Sequence, residues 1–296
     1  VEDSSAASLR ILLIGRSGQL GSSLLALNTR HHIDAPDRAE LDIESPASCE
    51  RAIAQRRPQV VINTAAFHKV PQCEVEPLRA FAVNCRAVRD LAALCRSVDA
   101  QLVTFSTDYV FAGERAQPYV EDDRTGPLQM YGISRLAGEL AALAAAPEHA
   151  IIVRTCGLYG LTGARSKGGN FVDQRVADAR AGEPFDMGCD QVVSPTYAGD
   201  LAQAVLRLIE HPQRAPGIYH LANEGACSWF EFTQAIVSLI GSTTAVRPVD
   251  RGGMTGPMRR PRYSALANTR ARALGITLPH WRDALERYLR IKYASA

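Results

Sequence analysis

A glycine-rich turn set between a short apolar run and a helical segment limits what this chain can become. Leu9 to Ile14 (Leu-Arg-Ile-Leu-Leu-Ile) is brief, β-favouring and followed at once by Gly15, so it reads as a buried strand ending in a turn. Gln19 to Leu27 reads as the helix that follows. Between them, Gly15-Arg16-Ser17-Gly18-Gln19-Leu20-Gly21 spaces its glycines GxxGxxG. Glycines permit the tight turn and let a pyrophosphate approach the helix N-terminus, whose free N–H groups favour anions. Asp37 follows near the distance at which an acid binding a ribose hydroxyl is expected. This setting points to a dinucleotide cofactor cradled by residues 15–21. Which nicotinamide cofactor stays open, because Asp37 suits a free 2′-hydroxyl whereas Arg16 and Arg38 suit a 2′-phosphate. Asp42 either flanks the adenine edge or caps a helix starting near Ser45.

The strand-then-helix rhythm continues. Val60 to Asn63, Leu102 to Phe105 and Ile151 to Arg154 read as further strands, separated by segments of helical period. In one of these, Val88, Leu91, Ala92 and Cys95 fall at i, i+3, i+4 and i+7, an apolar stripe on one helix face. Alternating strands and helices imply an α/β fold, a Rossmann-type doubly wound parallel sheet covered on both sides. After about residue 156 the rhythm weakens into a glycine-rich stretch from Gly157 to Gly169. Helical stretches follow at Phe171 to Ala181, Trp229 to Ile240 and His280 to Leu289. The expected organisation is a cofactor domain over 9–155 and a smaller, interleaved substrate lobe over 156–296, with segments near 190–225 returning to the first domain.

Composition narrows the partners. With 46% hydrophobic and 22% charged residues, the chain has ample apolar surface for a core. Thirty-three Lys and Arg against thirty-one Asp and Glu leave +2, too balanced for a sequence-independent binder of a nucleic acid polymer, and a membrane surface is disfavoured as well. The seven cysteines are scattered, with no CxxC pair and no His spaced to complete a zinc site, which reads as reduced cytoplasmic thiols and no metal. Val1 to Ser8 reads as a tail without the charged-then-apolar layout of a signal peptide, and no stretch approaches the ~20 apolar residues of a membrane span.

Ser106-Thr107-Asp108-Tyr109-Val110-Phe111 follows a predicted strand, placing Thr107 at the carboxyl end of the sheet, where ligands bind in open α/β folds. Downstream, Tyr131 and Arg135 stand four apart, on one face of a helix. A tyrosine with an ordinary pKa of about 10 needs a neighbouring cation and a hydroxyl partner to do acid-base work near neutrality. Thr107, Tyr131 and Arg135 supply those three parts. Periodicity alone would make Tyr131 a partly buried core residue.

Several ordered motifs together resemble one family. They are the glycine turn, Asn63-Thr64-Ala65-Ala66, Ser-Thr-Asp-Tyr-Val-Phe, Tyr131 to Glu139 (Tyr-Gly-x-Ser-x-Leu-Ala-Gly-Glu) and Arg154-Thr155-Cys156-Gly157-Leu158-Tyr159-Gly160. Lys167 to Val172, Asp190-Gln191 with Ser194-Pro195-Thr196, and Arg260-Pro261 with Ser264-Ala265-Leu266 continue the series. From about Leu9 to Leu289 the chain resembles the extended short-chain dehydrogenase/reductases, and among them the dTDP-4-dehydrorhamnose reductase family. The resemblance implies reduction, by NADPH or NADH, of the 4-keto group of a nucleotide-linked 4-keto-6-deoxy sugar. It implies that Tyr131 protonates the developing alkoxide and that Thr107 bonds the substrate oxygen. It places Ala65, Ala66, Asn84 and Ser106 with the glycine turn against the cofactor, and Asp108, Tyr109, His68, Asn170 and Arg260 against the substrate. Relatives of this kind are often dimers, so a homodimer is expected.

Three positions depart from the family pattern. Arg135 stands where the family has lysine, Pro71 where relatives commonly have aspartate, and Gly157 where many have a tryptophan lining the sugar pocket; the last change predicts a wider pocket. Arg251, Arg259, Arg260 and Arg262 form an arginine-dense loop, and bidentate arginines suit a nucleotide diphosphate. Two rival readings share the cofactor site. One is a dehydratase or epimerase, although dehydratases carry an Asp-Glu pair after the threonine and here Asp108 is followed by Tyr109. The other is a non-catalytic regulatory subunit resembling the β subunit of methionine adenosyltransferase.

Overall fold

The computed structural model describes residues 7–162, 169–252 and 258–293. Its first half alternates β1 (Arg10–Ile14), α1 (Gln19–Leu25), β2 (His32–Asp34), α2 (Pro46–Arg56) and β3 (Val60–Asn63). Then come α3 (Val70–Val75), α4 (Pro77–Phe81), a π-helical turn (Ala82–Arg86), α5 (Ala87–Ser97) and β4 (Gln101–Thr107). A 3₁₀ turn (Asp108–Val110), α6 (Met130–Ala145) and β5 (Ala150–Thr155) complete it. The second half holds β6 (Leu158–Tyr159), α7 (Phe171–Ala181), β7 (Phe185–Gly188), β8 (Val192–Val193), β9 (Thr196–Tyr197) and α8 (Ala198–Glu210). It ends with β10 (Gly217–His220), β11 (Cys227–Ser228), α9 (Trp229–Leu239), β12 (Val246–Val249), α10 (Thr269–Ala273) and α11 (Trp281–Tyr293).

Six strands form one sheet in the order β10-β5-β4-β3-β1-β2, every pair parallel. The order reverses between β1 and β3, and ligands of open α/β sheets bind at such a switch point, beyond the carboxyl ends of the strands. Consecutive strand residues point to opposite faces, and here both faces are apolar. On one, Ile11, Leu13 and Val103 pack with Leu20 and Leu24 of α1 and Leu201, Val205 and Ile209 of α8. On the other, Leu12, Val61, Leu102 and Ile152 pack with Ile53 of α2, Leu91 of α5 and Ala142 of α6. Each large apolar side chain so buried contributes roughly 1.5–3 kcal/mol, which fixes the strand ends that carry polar residues.

The expected strand over 102–105 runs on to Thr107, so Ser106 and Thr107 are held by the sheet itself. The short strands β2 and β10 carry too few residues to show a period. A second core, built on Tyr159, Tyr197, Phe232, Trp281 and Tyr288, joins α9 and α11 beside the sheet. Between sheet and helix layer, Arg154 of β5 bonds Glu139 of α6. All seven cysteines are free thiols. Among the described residues, no helix is long and apolar enough to cross a membrane and no acidic, His or Cys cluster is built to hold a metal ion.

Candidate active site

The turn after β1 is shaped by contacts that exclude side chains. Gly15 has φ +91°, and a Cβ there would fall 2.4 Å from Thr64 Oγ1. That hydroxyl donates to the Ile14 carbonyl at 2.8 Å, locking the turn to the loop after β3. A Cβ at Gly21 would lie 2.3 Å from the Gly15 carbonyl oxygen, so α1 packs directly on the turn. Gly18 is the N-cap residue of α1 and makes no side-chain cap bond. The turn therefore offers open backbone and N–H groups to an anion, which fits a dinucleotide pyrophosphate. Buried atoms around it also lack protein partners, namely Ser106 Oγ and Gln19 Oε1. Ala65 sits at the other wall, its N–H donating to Asn63 Oδ1 at 3.1 Å, with Ala66 next along the loop.

Where the adenosine end of such a cofactor would lie, the charges differ from those expected. Arg16 Nη1 donates to the Ala35 carbonyl just beyond β2, at 2.9 Å. Asp37 Oδ1 accepts the N–H groups of Ala39 and Glu40 at 2.8 and 3.1 Å, so this oxygen closes its own turn. Arg38 pairs with Glu44 at 2.9 Å. Asp42 Oδ1 accepts the Glu44 N–H, and the cap of α2 is Ser45 rather than Asp42.

Ser106 and Thr107 end β4, and the chain turns at once through Asp108–Val110 because Thr107 Oγ1 accepts the Tyr109 N–H at 3.2 Å. Tyr131 lies in the first turn of α6, which Gln129 caps through its Oε1 on the Gly132 N–H. The Tyr131 phenol lies beside the Thr107 hydroxyl at the end of β4. Burial pushes the Tyr131 pKa up, and the Arg135 guanidinium one helical turn on pulls it back only in part. The phenol is thus protonated at neutral pH and poised as a donor. Tyr109 meets it edge to face, with ring centroids 6.1 Å apart.

Asn84, expected against the cofactor, has its amide engaged by protein. Its Oδ1 accepts the Phe67 N–H at 2.9 Å, and its Nδ2 donates to the Phe67 carbonyl and to Ser134 Oγ at 2.9 and 3.1 Å. Arg135 Nη1 lies 3.5 Å from the same Oδ1, and Arg135 Nε is buried without a partner. Asn84 thus positions the guanidinium beneath Tyr131.

Two residues expected to face the substrate are turned inward. Asp108 is 4% exposed, with Oδ1 3.0 Å from Thr107 Oγ1 and Oδ2 2.5 Å from Ser264 Oγ. Cys156 lies close by, and burial raises the Asp108 pKa. Asn170 caps α7 through the Asp173 N–H and donates to the Gly160 carbonyl and the Tyr288 hydroxyl, both at 2.8 Å. Both carry hydrogen bonds to protein partners. Arg260 behaves differently, because its Nε is buried without a partner and its charge acts on Tyr109. His68 is half-buried, with Nδ1 3.4 Å from the Ala66 carbonyl.

The wider pocket expected beside Gly157 is not what the structure shows. Gly157 has φ +53°, a left-handed conformation that disfavours any side chain, and a Cβ there would lie 3.2 Å from Pro195 Cα and from Trp229 Cη2. The indole of Trp229, packed on Phe171 at 4.5 Å between centroids, occupies that flank. Trp229, Ser264 and Cys156 had not been marked as site residues. The serine cap at Ser228 marks the helix that Trp229 opens, yet no spacing rule links 229 to 157 or 264 to 108. Lys167 and Gly168 of the glycine-rich motif, and residues 253–257 of the arginine-dense loop, lie outside the described residues.

Comparison with known proteins agrees with this geometry. The family described as RmlD substrate binding domain matches residues 9–293. A dTDP-4-dehydrorhamnose reductase of Streptomyces griseus is 40% identical over 283 residues, covering 93% of this chain and 91% of that protein. A dTDP-4-keto-6-deoxy-D-glucose reductase of Streptomyces niveus is 35% identical, covering 93% and 95%. The crystal structure of dTDP-4-dehydrorhamnose reductase from Bacillus anthracis in complex with NADP superposes with a TM-score of 0.88 at 34% identity, covering 96% of this chain and 99% of that one. The chain belongs to the dTDP-4-dehydrorhamnose reductase family.

Proposed function

We propose that this chain is an NAD(P)H-dependent reductase of the 4-keto group of a nucleotide-linked 4-keto-6-deoxy sugar. The observation that carries the reading is the grouping of Thr107, Tyr131 and Arg135 at the carboxyl end of β4, on the same sheet end as the glycine turn. A bound nicotinamide cofactor supplies the hydride. The chain's own residues do the rest. Backbone from Gly15 to Gly21 holds the pyrophosphate, and Arg16, with one Asp37 oxygen tied to its own turn, favours NADPH over NADH. Tyr131 gives its phenolic proton to the substrate oxygen, and the Arg135 charge steadies the phenolate left behind. Arg260, whose buried Nε has no protein partner, suits the diphosphate of the substrate.

Reduction fits better than dehydration, because Tyr109 stands where a dehydratase carries its second carboxylate and Asp108 is buried. We assign 9–155 to cofactor binding and most of 156–296 to the substrate, with α8 and β10 returning to the sheet. Free, mostly buried thiols support a reducing compartment. Val75, Leu78 and Leu140 are exposed on packed helices, a face that a homodimer would cover. The test is to mix the protein, NADPH and dTDP-4-keto-6-deoxy sugars and follow the reduced-cofactor absorbance. Oxidation is expected, and Tyr131→Phe is expected to slow it by about 10²–10⁴-fold. Cofactor binding without oxidation of any such sugar would favour the regulatory reading, and a fully active Tyr131→Phe protein would remove the mechanism.

A further inference from the structure

Tyr131 stands where a helix holds its residues least firmly. It lies in the first turn of α6, where N–H groups lack partners within the helix and the end frays. The chain leading into that turn gives little support, because residues 111–129 hold no helix and only a single bridge residue, Tyr119. Gln129, which caps the helix, is not one of the short polar residues that serve best there. The start of α6 therefore depends on contacts from elsewhere in the fold.

One such contact comes from 56 residues upstream. Glu74 Oε1, in α3, accepts the Met130 N–H at 2.7 Å, one residue before the tyrosine. A carboxylate suits that place, because negative charge is favoured at a helix N-terminus and hydrogen bonds to an ionised acceptor are the strong ones. On another flank, a Cβ on Gly132 would lie 2.2 Å from the Tyr109 carbonyl oxygen, so the first turn of α6 presses on the turn that follows Thr107. The stretch that carries Glu74 also grips α6 beyond the tyrosine. Asn84 Nδ2 donates to the Phe67 carbonyl and to Ser134 Oγ, and the Ser134 hydroxyl donates to the Tyr131 carbonyl at 2.9 Å. Cys73, buried next to Glu74, closes the stretch on itself by donating to the Phe67 carbonyl at 3.5 Å. Residues 67–74 thus hold α6 on both sides of Tyr131, at Met130 directly and at Ser134 through Asn84.

We propose that Glu74 is a positioning residue of the reductase, which by holding the Met130 N–H fixes the first turn of α6 and the place of the Tyr131 phenol. This rests on the reductase reading. Glu74 transfers nothing; its effect on the reaction passes through where Tyr131 stands. Proton transfer is sensitive to such placement, since a displacement of about 1 Å at a reacting group can cost on the order of 10²-fold in rate. The anchor also has a fixed reference. Its stretch of chain begins just after Ala65 and Ala66, at the wall of the glycine turn, so the tyrosine is tied to the frame that receives the cofactor.

The experiment uses Glu74→Met, close in length but without a strong acceptor, and Glu74→Gln, which keeps a carbonyl oxygen for the Met130 N–H. With NADPH and a dTDP-4-keto-6-deoxy sugar, Glu74→Met is expected to lower kcat about 10- to 100-fold with the KM for NADPH within about twofold, and Glu74→Gln to stay within about threefold of the natural rate. The deciding step repeats Glu74→Met in Tyr131→Phe protein. There it is expected to cost less than about twofold, because no phenolic proton remains for the anchor to place. Equal losses in the two backgrounds, no loss with Tyr131 present, or Glu74→Gln as slow as Glu74→Met would overturn the proposal while leaving the reductase reading intact. Failure of the unmodified protein to oxidise NADPH with any such sugar would bring down the reductase reading itself, and this role with it. A second readout needs no turnover. Amide hydrogen exchange at Met130 is expected to quicken about tenfold or more in Glu74→Met while that at Leu91 of α5 holds, and unchanged exchange at Met130 would remove the anchor.

Discussion

Asp108 and Glu139 are buried to nearly the same extent, 4% and 2% exposed, yet the fold meets the cost of burying them in opposite ways. Glu139 faces a guanidinium: Arg154 Nε and Nη2 donate to its two oxygens at 3.0 and 2.6 Å. Arg154 also sits over the Phe111 ring at 5.2 Å, so the pair is clamped between sheet and helix. Asp108 faces only hydroxyls, a thiol and backbone. A bidentate ion pair keeps its charge and its place, whereas a carboxyl among neutral donors can hold or release a proton. The first arrangement props the sheet, and the second stands beside the reacting tyrosine.

The sharpest way to break this contrast is to neutralise each carboxyl in turn. Glu139→Gln leaves the buried Arg154 charge uncompensated and is expected to cost about 3–5 kcal/mol in a denaturant titration. Asp108→Asn, which replaces a neutral acid by a neutral amide of the same shape, is expected to stay within about 1 kcal/mol. Equal destabilisation by the two substitutions would show that Asp108 is a structural anion like Glu139, and the difference drawn between them would vanish.

Little of that contrast could be read from the chain. The sheet was legible because apolar runs of four to six residues alternate with helical periods, and local sequence decides such elements. The grouping of Thr107, Tyr131 and Arg135 was legible because Thr107 ends a strand and Tyr131 and Arg135 share one helix face. The surroundings of Asp108 were not legible because its neighbours, Ser264 and Cys156, come from other parts of the chain, and only packing reveals that they converge. The partners of Asn170 were hidden for the same reason, since Tyr288 and Gly160, which bond its amide, are distant in the chain or in a loop. The space beside Gly157 was misjudged because a missing side chain was equated with missing atoms, while Trp229 arrives from another helix to fill it.

Glu121, also 4% exposed, offers an intermediate case. It accepts the His220 and Arg270 N–H groups at 3.1 Å and bonds the Thr269 hydroxyl, and these partners hold its pKa down. His220 is buried and pushed down to about 4, with the Tyr119 and Ala267 carbonyls at its Nδ1. An imidazole depressed in the fold is neutral in both states at high pH. Below its ordinary value near 6.5 the unfolded chain takes a proton that the native state refuses. Stability should therefore fall as pH drops from about 6.5 toward 4, and the lowered carboxyl of Glu121 adds to the loss below the ordinary glutamate range. Asp108 has the opposite sign: its raised pKa means stability is lost as pH rises above the ordinary carboxyl range. Denaturant midpoints measured from pH 4 to 8 should show the His220 slope vanish in His220→Phe and the Asp108 slope vanish in Asp108→Asn. The contrast would fail if both substitutions flattened the same limb.

The finest test lies in Ser264, whose hydroxyl holds Asp108 Oδ2 at 2.5 Å. A hydrogen bond between neutral groups contributes about 1 kcal/mol, and one to a charged group about 1.5–3 kcal/mol. If Asp108 is a neutral acid at pH 7, Ser264→Ala should cost about 1 kcal/mol, and the cost should grow as pH rises and the carboxyl begins to ionise. A loss near the charged range already at pH 7, flat with pH, would show a carboxylate under Thr107. Such an anion would hold the Thr107 proton in the hydrogen bond seen at 3.0 Å, so this small stability difference decides which way the hydrogen bond between Thr107 and Asp108 points.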